Sequence, residues 1–222
     1  MPKVEFKFDI NKDSWNYWDT ANSKSHWGWD FTKNLRPELI EKLKGKKFEE
    51  VKEYLLILLN KGYSNDKEKN NAKLKEIEKS WRDIENEFFN ILKNLMNKPI
   101  CSDNFACYIT TIGRCPYNIK EKWFMLNIFW DNQRALTTIA HELLHMQFYH
   151  YYEEELMGRI SMEKFQDIKE ALTVLLNIEF KDILKYEDKG YPSHEHLREF
   201  IVKQWETNKD FEVLIEKCVE RF

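Results

Sequence analysis

From residue 37 onward the apolar positions recur at helical spacing. Pro37 suits the first turn of a run to about Lys44, which Gly45 stops. Val51, Tyr54, Leu55, Leu58 and Leu59 form one stripe of a second helix over 48–60, ending near Gly62. Leu74, Ile77, Trp81, Ile84, Phe88, Ile91, Leu92 and Leu95 predict a third over 67–97, with Pro99 just beyond it. Between Phe105 and Trp130 the texture turns β-branched and aromatic. Residues 108–112 and 123–129 read as strands joined by a loop with Gly113 and Pro116. Helical signals then return: Asp131 caps a run to Tyr152, Ser161 caps another reaching about Leu184, and 195–207 and 210–222 read as two more.

The segment up to about Lys33 has no regular period and is crowded with rings: Trp15, Tyr17, Trp18, Trp27, Trp29 and Phe31. Each indole can bury a large apolar area, so this segment reads as an arm packed over the domain surface. The sharper alternative is that some rings wall a substrate groove. Together the patterns predict an α+β fold, predominantly helical, with a small antiparallel sheet and additional N- and C-terminal helices. The division expected is an arm and helical region over 1–98 and a core over 99–222, close enough to be one compact unit.

Composition narrows the partners. A net charge of −3 gives no reason to expect nucleic acid or an anionic membrane. No apolar stretch is long enough to cross a bilayer, and the opening KVEFKFD alternates charge with hydrophobicity where a signal peptide has an apolar centre. A cytoplasmic protein is expected. Cys101, Cys107, Cys115 and Cys218 contain no CxxC pair and read as reduced thiols. Oligomeric state is not legible here.

The chemistry lies in residues 131–152. This helix is apolar nearly all round, with Leu136, Ile139, Leu143, Leu144, Met146 and Phe148, and such a helix is buried. Yet its middle carries His141, Glu142 and His145, which are costly to bury without partners. The histidines stand at i and i+4, so both imidazoles can hold one tetrahedral ion. Glu142 projects beside that ion, where it can take a proton from a metal-bound water. A catalytic zinc uses three protein ligands, so a third is needed. If the helix ends near Tyr152, the chain runs ~10 Å beyond His145, and a helix returning antiparallel from Met162 comes level near Glu170. Glu163 falls short and Glu179 overshoots. Thr173 and Asn177 lie on the same stripe as Glu170 and can support it.

HELLH over 141–145 is the HExxH motif and resembles that of zinc metallopeptidases. The metzincin extension fails, because Phe148 stands at its glycine and Tyr151 at its last histidine, with His150 one residue off. With Glu170 on the following helix, residues 108–184 look like a minimal gluzincin. The resemblance implies a zincin-like catalytic core binding one zinc ion, a peptide or protein substrate, and an antiparallel edge strand above the cleft (123–129) that holds an extended peptide by strand addition. It also implies an oxyanion donor downstream of the glutamate helix. His194, Tyr191 and His196 are the candidates, with Ser193 capping the helix that follows. Val174 departs from the pattern, standing where thermolysin-like members place an aspartate. The activity implied is hydrolysis of peptide bonds through a water activated by Glu142. The alternative is a regulatory peptide-binding module that keeps the metal, and a third reading is a helical scaffold in which HExxH arises by chance.

Overall fold

The structure, a computed structural model, describes residues 1–23 and 30–221; Trp27 and Trp29 of the aromatic arm lie outside them. Its elements are β1 (Lys3–Phe8), α1 (Ile10–Asn22), α2 (Pro37–Leu43), α3 (Phe48–Asn65), α4 (Lys67–Met96), β2 (Asn104–Thr110), β3 (Tyr117–Asn118) and β4 (Trp123–Asn127). Then follow α5 (Asn132–Met157), α6 (Met162–Leu172), α7 (Leu176–Glu179), α8 (Glu195–Thr207) and α9 (Phe211–Glu220). The class is α+β and predominantly helical. Among the described residues no helix is long and apolar enough to cross a membrane.

The chain forms two compact units. A sheet unit comprises Val4–Ser80 and Phe105–Ala135, and a helical unit comprises Met1–Lys3, Trp81–Asn104 and Leu136–Phe222.

In the sheet unit the strand order is β1-β2-β4-β3. The sheet is mixed, where an antiparallel one was expected: β4 runs parallel to β2, from Ala106 opposite Trp123 to Thr110 opposite Asn127. Residues 111–122 carry the chain back so that β4 starts beside the beginning of β2, which is the crossover that parallel pairing needs. Two-residue β3 then pairs antiparallel with the other side of β4, after a turn in which Lys122 adopts φ 55°. Thus β4 is an interior strand, buried at every residue, and not the free edge expected of 123–129.

The N-terminal segment is regular where irregularity was expected. Val4, Phe6 and Phe8 alternate with Lys3, Glu5 and Lys7 to make β1. Asp9 caps α1, its Oδ1 accepting from the backbone N of Asn11 at 2.9 Å and Lys12 at 3.2 Å. The buried residues of α1 include Asp13, Asn16 and Thr20, and their hydrogen bonds carry the packing. Asn16 Nδ2 donates to Thr110 Oγ1 at 2.9 Å and to Arg114 O at 2.8 Å. Trp15 meets Trp123 edge-on at 6.3 Å, and Trp18 rests on Phe48 with its Nε1 donating to Lys46 O at 2.7 Å. Leu35, Leu39, Leu43, Val51, Leu55 and Ile112 make the neighbouring apolar cluster.

In the helical unit α4 ends at Asn97, whose φ of 48° lets Lys98 N reach back to Lys93 O at 3.2 Å. Trp81 and Phe88 of α4 are fully buried, and Phe88 meets Phe180 at a tilt, ring centroids 5.1 Å apart. Phe148 of α5 stacks on Phe165 of α6 at 5.2 Å, and Tyr152 meets Phe211 of α9 at 5.6 Å. Gln147 is fully buried on α5 and satisfied, donating to Pro99 O at 2.8 Å and accepting from Cys101 N at 2.9 Å. The helix expected to run unbroken to residue 184 instead stops at Leu172, passes through a 3-10 turn (Thr173–Leu175) and resumes briefly as α7. Ser193 does not cap α8: a 3-10 turn (Pro192–His194) leads into it, and His194 occupies the cap position.

Candidate metal centre

Three donor groups meet in the helical unit. His141 and His145 stand one turn apart on α5 with ring centroids 4.2 Å apart, and Glu170 comes from the returning helix α6. Stacking of Phe148 on Phe165 fixes the two helices at this level. Oε2 of Glu170 lies 3.3 Å from His145 Nε2 and 3.6 Å from His141 Nε2, and the ligand atoms of all three lie within 4.8 Å of one another. Around an ion with ligands at about 2.0–2.2 Å, neighbouring tetrahedral donors stand roughly 3.3–3.6 Å apart. The two measured separations match that edge. His141, His145 and Glu170 therefore form a group that could bind a metal ion, as expected, although α5 runs on to Met157 where an end near Tyr152 was expected.

A second layer holds these donors. Asp188, in the stretch between α7 and α8, places Oδ2 2.7 Å from Nδ1 of His141, leaving Nε2 of that ring toward Glu170. Oδ1 of Asp188 lies 2.8 Å from Thr173 Oγ1 and 3.0 Å from Arg198 Nη1. Arg198 also donates to Thr173 Oγ1 at 2.7 Å and, through Nη2, to Asp188 O. Asn177 pairs with the Asp188 backbone at both ends, accepting from N at 2.8 Å and donating to O at 2.9 Å. Gly190 is built for this crossing: at φ +61° a Cβ there would sit 2.6 Å from Arg198 Nη1. Thr173 and Asn177 thus support the site through Asp188, and Thr173 also reaches Glu170 O at 2.8 Å. On the other side, Lys169 Nζ holds Oε1 of Glu170 at 2.7 Å with only 1% of the lysine exposed.

The electrostatics favour a cation. Three buried carboxylates, Glu142, Glu170 and Asp188, face two buried cations, Lys169 and Arg198. Burial opposes protonation of His141, but Asp188, Glu170 and Glu142 outweigh it and hold the imidazole well above its usual range. His145 goes the other way, to about 3, through burial and the Lys169 charge. Burial works against ionising Glu170 and Asp188, yet His145 and Lys169 keep Glu170 well below the carboxylate range, and His141 and Arg198 hold Asp188 at about 2. Burial pushes Glu142 up to about 7 against the pull of His141. Its Oε2 is buried and has no hydrogen-bond partner among the described residues. An acceptor left open in such a place suits a group that exchanges a proton with a bound molecule.

The remaining candidates are placed differently. His194 is buried and its Nε2 lies 3.0 Å from Asp167 Oδ1, one turn before Glu170 on α6. Tyr191 is half-buried with its ring edge-on to His194 at 5.8 Å. His196 is turned to solvent, its Nδ1 3.6 Å from Glu199 Oε2. His150 is exposed on α5. Asp188, Arg198 and the buried position of Lys169 were not foreseen. Only the DKG turn before a helix hints at Asp188, and turns of that composition are common. Neither a scan against protein-family models nor searches of curated proteins and solved structures finds a match to this chain.

Proposed function

We propose that this chain is a zinc-dependent metallopeptidase with a gluzincin-type ligand set. The observation that carries the reading is the convergence of His141, His145 and Glu170 with the open Glu142 carboxylate beside them. Two imidazole nitrogens and one carboxylate oxygen are the donor set of catalytic zinc. Bound there, zinc supplies Lewis acidity, polarising a carbonyl and acidifying water. Glu142 takes a proton from water at Oε2 and returns it to the leaving amine nitrogen, and a pKa of about 7 suits both transfers near neutral pH. Asp188 keeps the His141 proton on Nδ1, so that Nε2 stays a donor. Lys169 binds Oε1 of Glu170 and leaves Oε2 to the imidazoles. His194 or Tyr191 supplies a hydrogen-bond donor to the developing oxyanion. All four cysteines are free thiols, which supports a cytoplasmic setting.

The test is cleavage of a mixed peptide library by zinc-loaded protein, followed by mass spectrometry. Wild type is expected to cut, Glu142→Gln to lose all but about a hundredth of the rate, and a chelator to abolish it. Zinc retained with no peptide cut would overturn the enzymatic reading in favour of a metal-bearing peptide-binding module.

A further inference from the structure

The sheet unit contains a cavity of about 260 Å³ that the metal centre does not use. Leu39, Leu58, Leu59 and Ile112 give it apolar lining, and Tyr17, Tyr63, Thr111 and Asn70 give it polar lining. Two oppositely charged and solvent-exposed residues, Arg36 and Asp66, also line it, and neither makes an ion pair among the described residues. Asn70 is only 6% exposed, yet its side-chain amide, which makes no hydrogen bond among the described residues, is open to solvent. Such a mixture of apolar walls and open polar groups suits a small molecule that carries both characters.

The hydrogen bonds around Asp13 define what that molecule must offer. The Asp13 carboxylate is fully buried and accepts from Thr110 Oγ1 at 2.5 Å, Thr111 Oγ1 at 2.8 Å and Tyr63 OH at 2.9 Å. Thr111 has one hydroxyl proton and gives it to Asp13. Its 3.0 Å contact with Tyr17 is therefore donated by Tyr17. Both phenols have committed their protons to the protein, and what they can still do is accept. With the Asp66 carboxylate, the lining holds a surplus of acceptors, and Arg36 stands as the guanidinium donor.

We propose that this cavity binds a free α-amino acid with an apolar side chain. Its ammonium is received by Asp66 and the phenolic oxygens of Tyr17 and Tyr63, its carboxylate by Arg36 and the Asn70 amide, and its aliphatic body by the leucines and Ile112. The volume falls just below the ~300–1,000 Å³ of sites for drug-sized ligands, as a metabolite of this size requires. A simple amine or carboxylic acid satisfies only one of the two charges, and an internal peptide residue satisfies neither. This inference uses residues of the sheet unit alone and stands apart from the metallopeptidase reading.

Titration of the full chain with L-leucine, by calorimetry or ligand-observed NMR, tests it. The comparison ligands are 3-methylbutylamine and 4-methylpentanoate, and the variants are Arg36→Met and Asn70→Leu, each checked for folding by circular dichroism. Saturable leucine binding is expected, weakened about tenfold or more in each analogue and in Arg36→Met, as loss of one charge-assisted pair implies. Arg36 is exposed, so that variant keeps its fold. No saturable leucine binding to the wild type at millimolar concentration overturns the site. Binding that both variants leave unchanged overturns its location, and equal binding of either analogue overturns the zwitterion.

Discussion

Replacing Asp188 by asparagine keeps the shape of the side chain and removes one of its two acceptor oxygens. In the native site both oxygens are in use: Oδ2 faces His141 Nδ1 at 2.7 Å, and Oδ1 faces Thr173 at 2.8 Å and Arg198 at 3.0 Å. If the asparagine oxygen stays with Arg198 and Thr173, its NH₂ confronts Nδ1 of His141. The imidazole then moves its proton to Nε2, the atom that faces Glu170, and ceases to be a metal donor. If the amide is turned over, the NH₂ confronts the Arg198 guanidinium, donor against donor, in a buried place. Either arrangement weakens metal binding. Loss of such an outer partner costs about 10–100-fold in affinity, or about 1.4–2.7 kcal/mol. Competition against a chromogenic chelator at fixed pH and ionic strength reads this directly, with thermal melting as a check that the variant is folded. A folded Asp188→Asn protein whose zinc affinity stays within about twofold of wild type would refute the orienting role of Asp188.

Two further substitutions probe the supports. Gly190→Ala places a Cβ 2.6 Å from Arg198 Nη1 at a backbone φ of +61°, so urea unfolding should register a loss of about 1–3 kcal/mol, and a change below the error of the method would contradict the close crossing. Lys169→Met leaves the buried Glu170 carboxylate without its 2.7 Å ammonium partner and should destabilise the metal-free protein by about 3–5 kcal/mol; a variant as stable as wild type would show that the pair contributes little.

Much of the helical framework was legible because its buried faces are apolar and its ends carry turn residues. Pro37, Asp131 and Ser161 mark starts that the structure keeps, with Asp131 Oδ1 accepting from Arg134 N at 3.0 Å and Ser161 Oγ from Lys164 N at 3.4 Å. Glu170 was expected from a helix ending near Tyr152; α5 instead runs to Met157, so helix rise alone does not account for the level at which Glu170 meets the histidines. Helix α1 was not legible, because Asp13, Ser14, Asn16 and Thr20 occupy its buried positions and hydrogen bonds replace the apolar stripe. The neighbours of β4 were hidden for another reason: a buried run of five residues carries no mark of which strands lie beside it. The break after Leu172 has no glycine or proline to announce it, and Asp188 lies in a stretch without periodicity. Both are tertiary features, tied together by Thr173 and Arg198.

The most direct measurement of the central claim is metal content by elemental analysis of wild type, His145→Ala and Glu170→Gln, purified without added metal and then offered zinc with the excess removed. One zinc per wild-type chain is predicted, lost in His145→Ala and weakened in Glu170→Gln. A wild-type protein that holds no zinc even after loading would contradict the metal centre, and with it the hydrolase built on that centre.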